Sequence, residues 1–173
     1  MNRARTWVGA LAMSLAAFAT WQASEGFTPV PMIPTQGDVP TIGYGSTRYE
    51  DGTPVTLADP PITRDRAEHL ARALHDEEER RFRASLPGVK LFQEEYDLYL
   101  DFSGQYGSAN WRKSSMRRHL LAGEYAKACD ALLMWRKAGG YDCSTLVNGK
   151  PNRRCWGVWV RQLERHAQCW SVQ

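Results

Sequence analysis

Charge is missing from the start of this chain: no Asp, Glu, Lys or Arg stands between Arg5 and Glu25, and no basic residue follows Arg5 until Arg48. Cysteine is missing for longer still, since all four (Cys129, Cys143, Cys155, Cys169) lie in the last 45 residues. Their spacings of 14, 12 and 14 contain no CxxC pair, which removes a zinc ribbon from consideration. The four histidines, His69, His75, His119 and His166, are scattered without ligand-like neighbours, so they read as surface or helix-packing residues and no metal or other cofactor is expected. Repeats and low-complexity tracts are absent, which excludes solenoid and fibrous classes.

What remains suits one globular domain: 173 residues, 43% apolar and 24% charged. The net charge of +3 is unevenly shared. Residues 1–79 carry 6 basic and 11 acidic side chains, and residues 80–173 carry 16 and 8. A basic C-terminal half can face nucleic acid, anionic lipid or cell-wall polymer. Its basic residues are dispersed among helices rather than interleaved with exposed aromatics, which argues against nucleic acid.

The uncharged run Thr6–Ser24 decides more. At nineteen residues it is barely long enough to cross a bilayer as a helix, and Ala, Gly, Ser and Thr make it weakly apolar. With Arg3 and Arg5 before it, the positive-inside rule sends the rest of the chain out of the cytoplasm. Two readings stay open on these residues: a signal peptide cleaved after Ala17-Phe18-Ala19, or an uncleaved weak anchor. Both export residues 25–173, and an even number of cysteines in an exported chain implies disulfides. The segment between Cys143 and Cys155 reads as a loop turning at Asn148-Gly149, which favours that pair and leaves Cys129 with Cys169.

Residues 27–61 are rich in Pro, Gly and Thr, with alternation at Thr41-Ile42-Gly43-Tyr44-Gly45 and a hairpin dipeptide at Asp51-Gly52. This predicts a small sheet of two or three strands. From the N-cap Thr63 onward the periodicity is helical, over roughly 64–84, 91–103, 111–121, 124–137 and 156–169. The fold class is α+β, with a small antiparallel sheet lobe followed by a helical bulk.

Glu25-Gly26-Phe27, followed sixteen residues after the Glu by Thr41-Ile42-Gly43-Tyr44-Gly45, resembles the opening of the phage-type lysozymes, glycoside hydrolase family twenty-four. Ile62 to Glu68 resembles the start of the family's long helix joining two lobes. Phe102 to Gly107 stands where a Phe-Asn-x-Gly turn is usual, and Trp135, Gly139-Gly140 and Arg161 to Glu164 resemble the closing segment. The resemblance spans about residues 24–170. It implies a lysozyme-like catalytic domain at 25–173 that cuts the β-1,4 bond between N-acetylmuramic acid and N-acetylglucosamine in peptidoglycan, causing host cell lysis. The weak anchor at 1–24, ending on Glu25, further resembles the signal-anchor-release endolysins, which are held at the inner membrane and then freed as periplasmic enzymes. A monomer acting on peptidoglycan strands, with no nucleic-acid partner, is implied.

Within that resemblance Glu25 is the expected general acid, its pKa raised beneath Phe27 and neighbouring aromatics. Thr41 is expected to hold a water through its hydroxyl. Ser46 replaces the His that often follows GYG. The family's second carboxylate, an Asp about six residues before the TIGYG threonine, is replaced by Thr35, and Pro34 stands nine after Glu25. Asp38 is the one acid between Glu25 and Thr41, so it is the candidate base, with a Thr35–Thr41 pair as the rival. Thr35, Tyr44 and Gln105 are candidate substrate-binding residues; the seven Trp residues are more often core than sugar platforms, although Trp111 and Trp135 could line a glycan groove. Two other activities stay open: a non-catalytic peptidoglycan-binding module, and lytic transglycosylation of the same bond.

Overall fold

The structure is a computed structural model that describes residues 3–173, the side chains of Ser24 and Glu25 excepted. The chain forms two compact units, Met13–Arg81 and a second made of residues up to Ala12 together with Phe82–Gln173.

The uncharged N-terminal run is not one helix. Thr6–Trp7 is a strand, β1, followed by a 3-10 turn at Val8–Ala10, and α1 spans only Leu15–Glu25. Ser14 sets the helix start: it is extended, and its hydroxyl accepts from the Ala17 N–H at 3.1 Å. Among the described residues no helix is long and apolar enough to cross a membrane.

In the Met13–Arg81 unit, Gly26 ends α1 at φ +70°, and the chain enters β2 (Thr28–Met32), which pairs antiparallel with β3 (Thr41–Gly43). The expected sheet is therefore one irregular two-stranded ladder, extended by isolated bridges at Ile42–Ser46 and Arg48–Pro54. The Asp51-Gly52 turn closes as read, with Tyr49 N–H donating to the Thr53 carbonyl at 2.9 Å. Phe18 from α1, Tyr44 after β3, and Ala67 and Ala71 from α2 (Arg64–Ala84) form one buried cluster. Ile42, Val55 and Leu70 form a second. Both clusters use the predicted apolar face of α2, whose bounds coincide with the expected 64–84.

The unit boundary falls inside α2. In the other unit, β4 (Lys90–Leu91) pairs with β1, and Val8 is buried at 2% exposure. The helices are α3 (Gln93–Tyr106), α4 (Ser108–Lys113), α5 (Ser115–Leu121), α6 (Tyr125–Ala131) and α7 (Trp156–Trp170). The single helix expected over 111–121 is two, because extended Ser114 caps a new start by accepting from Arg117 N–H at 3.1 Å. The helix expected to reach 137 stops at 131, runs on as a 3-10 turn to Met134 and gives way to the hairpin β5–β6 (Lys137–Ala138, Tyr141–Asp142). A further hairpin, β7–β8, pairs Leu146–Val147 with Lys150–Pro151.

Trp111 takes the core alternative of its two readings. It is 1% exposed, packed 5.1 Å from Phe82 and 5.7 Å from Tyr99 between ring centroids, with its indole N–H donating to Ser85 at 2.8 Å. It lines no groove; it is the centre of an aromatic core. Both disulfides pair as read, Cys129 with Cys169 and Cys143 with Cys155. The first ties α6 to α7 through fully buried sulfurs.

The N-terminal residues are fastened to this unit by charge. Arg5 makes a two-pronged pair with Glu95 (2.9 and 2.8 Å) and lies over the Tyr125 and Phe92 rings at 3.7 and 4.5 Å. Glu95 is 1% exposed and also accepts from the Phe92 N–H and the Gln173 side chain, both at 2.8 Å. Arg3 pairs with Glu94 at 2.8 Å.

Candidate active site

Four of the candidates, Glu25, Asp38, Thr41 and Tyr44, lie on one path through the Met13–Arg81 unit, and Thr35 lies on it too. Glu25 is the last residue of α1, and left-handed Gly26 redirects the backbone into β2. The proposals for the Glu25 side chain, its role as acid and its raised pKa beneath Phe27, lie outside the described residues. The neighbouring Phe27 ring is covered by the Arg64 guanidinium, 4.5 Å from its centroid, and stands 5.7 Å from the Tyr44 ring.

Thr41 opens β3 opposite Met32, and its hydroxyl donates to the Met32 carbonyl at 3.4 Å. This long bond anchors the side chain across the ladder and leaves its oxygen able to accept. Two residues on, Gly43 holds φ +66°, and a Cβ there would stand 2.9 Å from the Cβ of Ala67. That close approach explains why this motif needs glycine: α2 is pressed directly against the strand. Tyr44 is 8% exposed, and its hydroxyl accepts from Arg64 at 3.4 Å. It is thus a wall residue whose oxygen is already engaged, rather than an open sugar platform.

Residues 33–40 link Met32 to Thr41, and the loop is organised by a turn in which the Asp38 N–H donates to the Thr35 carbonyl at 2.9 Å. Gly37, third in that turn, has the positive φ (+93°) that a type II turn requires. Thr35 and Asp38 are both exposed and terminate the same turn.

Gln105 is separate. It lies exposed in α3, in the other unit, and the turn expected over 102–107 is helix as far as Tyr106. Trp135 is half-buried, 5.0 Å from Phe102, with its carbonyl accepting from Tyr106 and Gln162 at 3.1 Å. Sequence reasoning missed Arg64, which joins Phe27 to Tyr44. The signal available was its position at the first turn of α2, right after Thr63. His75, read as a surface or helix-packing residue, packs half-buried in α2 with its ring edge-on to Trp21 at 4.2 Å, and burial pushes its pKa below the ordinary histidine range. Among the described residues no group of three His, Cys, Asp or Glu could hold a metal ion.

The phage lysozyme family model matches residues 22–155. An endolysin of Salmonella phage P22 is 33% identical over 101 residues, covering 58% of this chain and 68% of the relative. Among solved structures, the endolysin of Escherichia coli O157:H7 phage FAHEc1 superposes with a TM-score of 0.70 at 22% identity, covering 93% of this chain and 94% of its own. The P22 lysozyme superposes at 0.69 and 24% identity, covering 92% and 99%. The fold is therefore lysozyme-like, mixed helix and small antiparallel sheets, as the sequence resemblance implied.

Proposed function

The chain belongs to the phage lysozyme family, and from that premise we propose that it is an endolysin that hydrolyses the β-1,4 bond between N-acetylmuramic acid and N-acetylglucosamine in peptidoglycan, with Glu25 as the acid. The observation that carries this is the path of the chain. Helix α1 ends on Glu25, and the strand that follows pairs with the strand that Thr41 opens. A protonated Glu25 delivers its proton to the departing glycosidic oxygen. A water accepted by the Thr41 hydroxyl attacks the anomeric carbon, and Asp38 receives the water's proton, which is the inverting arrangement of two carboxylates. Release of reducing ends from purified peptidoglycan tests the reading. Glu25→Gln should abolish it with the fold retained, and substantial residual activity would remove Glu25 from the mechanism. Asp38→Asn should cost about a hundredfold, the usual scale of a general base. A loss under about tenfold, with Thr35→Ala worse, transfers the role to the threonines.

One observation favours a second reading. Thr35 stands where relatives place their Asp, and a single acid suffices for intramolecular transglycosylation. Mass spectrometry separates the two, since that route gives anhydro-muramic ends and hydrolysis gives reducing ends.

We also infer export of a monomer, with residues 1–24 tethering it at the inner membrane before release into the periplasm. The support is the uncharged run Thr6–Ser24 behind Arg3 and Arg5. Full-length protein should fractionate with the inner membrane and become soluble at unchanged size after depolarisation. A product starting near Thr20 would instead establish signal cleavage.

A further inference from the structure

The cystine Cys143–Cys155 closes a short segment whose outer part is the β7–β8 hairpin. Its turn residues, Asn148 and Gly149, both hold positive φ (53° and 73°), the geometry of a tight type I′ hairpin. The base is fixed. Asp142 accepts from the Ser144 N–H and hydroxyl at 3.0 and 2.6 Å, and the Asn152 side chain accepts from the Arg154 N–H at 3.2 Å. The tip is different. No other strand pairs with it among the described residues, and Leu146 and Val147 are 59% and 55% exposed. A lone two-stranded hairpin is marginal in water, so the cystine and its base hold this one out with no core of its own.

Cations flank the tip along the chain. Residues 136–155 contain Arg136, Lys137, Lys150, Arg153 and Arg154 against the single acid Asp142, a net +4 that exceeds the +3 of the entire chain. Asp142 is already paired with Arg136 at 3.2 Å, and Arg154 stacks on Tyr141 at 4.6 Å. Among the described ion pairs none engages Lys137, Lys150 or Arg153, all of them exposed.

We propose that the β7–β8 hairpin is a membrane-contacting tip, docking on the headgroups of an anionic bilayer through Lys150 and Arg153 and setting Leu146 and Val147 into the acyl boundary. Two exposed aliphatic residues alone are ordinary for a surface. Their placement on a stapled tip flanked by free cations is the pattern of an interfacial element, in which charge attracts and apolar area holds. A glycan or a peptide stem would use the cations but gives the aliphatic pair nothing to enter.

The test is flotation of the full-length protein with vesicles of equimolar phosphatidylglycerol and phosphatidylcholine, against phosphatidylcholine alone. All variants share the same N-terminal segment, so its contribution is common to them. Binding beyond that to phosphatidylcholine alone, where the N-terminal segment acts without the tip, should require the anionic lipid. Lys150→Glu with Arg153→Glu should weaken it by about 25-fold or more, at about fivefold per cation lost. Leu146→Ser with Val147→Ser should weaken it by about tenfold. Arg112→Glu with Lys113→Glu, the same charge change on α4, should cost less than about threefold, because headgroup attraction acts locally. All three should release reducing ends from soluble peptidoglycan fragments like the parent, so the result stands apart from the lysozyme reading. Absence of flotation, an unaltered Leu146/Val147 variant, or an equal loss in the α4 variant would each overturn the proposal. Loss of glycan cleavage in the tip variants would reassign the tip to substrate.

Discussion

Gly43→Ala offers a direct test of how the strand bearing Thr41 is held. The substitution adds a single methyl group, and two penalties follow from the geometry. At φ +66° an L-residue pays about 1–2 kcal/mol for left-handed backbone. The new Cβ would also stand 2.9 Å from the Cβ of Ala67, which is fully buried and rigidly attached to α2, so strand and helix must part by a few tenths of an ångström. Overpacking of that kind costs about 1–3 kcal/mol, giving about 3 kcal/mol together. In a chain of this size that lowers the melting temperature by about 6–12 °C. The two contributions separate in a double-mutant cycle. Ala67→Gly alone costs about 1 kcal/mol in a helix interior, but combined with Gly43→Ala it removes the overlap and leaves only the backbone strain. The pair should therefore be more stable than the sum of the singles by about 1–2 kcal/mol, read from urea midpoints and slopes. Strict additivity, or a Gly43→Ala cost below about 0.5 kcal/mol, would refute the close approach.

Replacing Cys129 and Cys169 by Ser opens a loop with a sequence separation of 40; loop-closure entropy then predicts a loss of about 4 kcal/mol, measured by urea unfolding of the variant against the oxidised parent. Arg5→Leu should cost about 3–5 kcal/mol, because it leaves Glu95 without the cation that balances its burial, and Arg3→Leu, at an exposed pair, less than about 1 kcal/mol in the same melt. Arg66 donates to both oxygens of Glu50 and holds its carboxyl down at about 2 from an ordinary 4.5. The folded form binds that proton less readily than the unfolded chain, so this contribution is complete above pH 4.5 and is lost as pH falls towards 2. For a pair open to solvent it is worth about 1 kcal/mol. Glu50→Gln should flatten that acid limb in a pH series of urea midpoints, and an unaltered limb would remove the pair from the account.

Legibility tracked the range of the interactions involved. The α2 bounds, the Asn148-Gly149 turn and both disulfide pairings rest on local periodicity, turn chemistry and parity, and all three hold. Ser114 was legible too late: it is a good N-cap in the middle of a helical pattern, and a cap inside such a pattern divides it. The helical extent of the N-terminal run depends on a longer-range contact. An uncharged run behind two arginines has the composition of a membrane segment. Whether it extends as one helix was decided here by Glu95, ninety residues away, whose buried carboxylate takes Arg5 and so draws β1 against β4. The choice between core and groove for Trp111 was open for the same reason, since Ser85 and Phe82 approach it only through the fold.

The missing carboxylate has a similar logic. The loop between Met32 and Thr41 is bounded by residues that face each other across the ladder, and a single turn organises it. Thr35 stands three residues after Met32, and Asp38 stands three before Thr41. The turn's own hydrogen bond joins the backbones of these two candidates. Position along the chain therefore favours neither, because one turn joins both candidates. Chemistry breaks the tie. A threonine hydroxyl can orient a water but cannot keep the proton that water sheds, whereas a carboxylate can. The proposed mechanism therefore expects Asp38→Asn to cost more activity than Thr35→Ala, measured as reducing ends released from peptidoglycan, and the reverse order would give the role to the threonines.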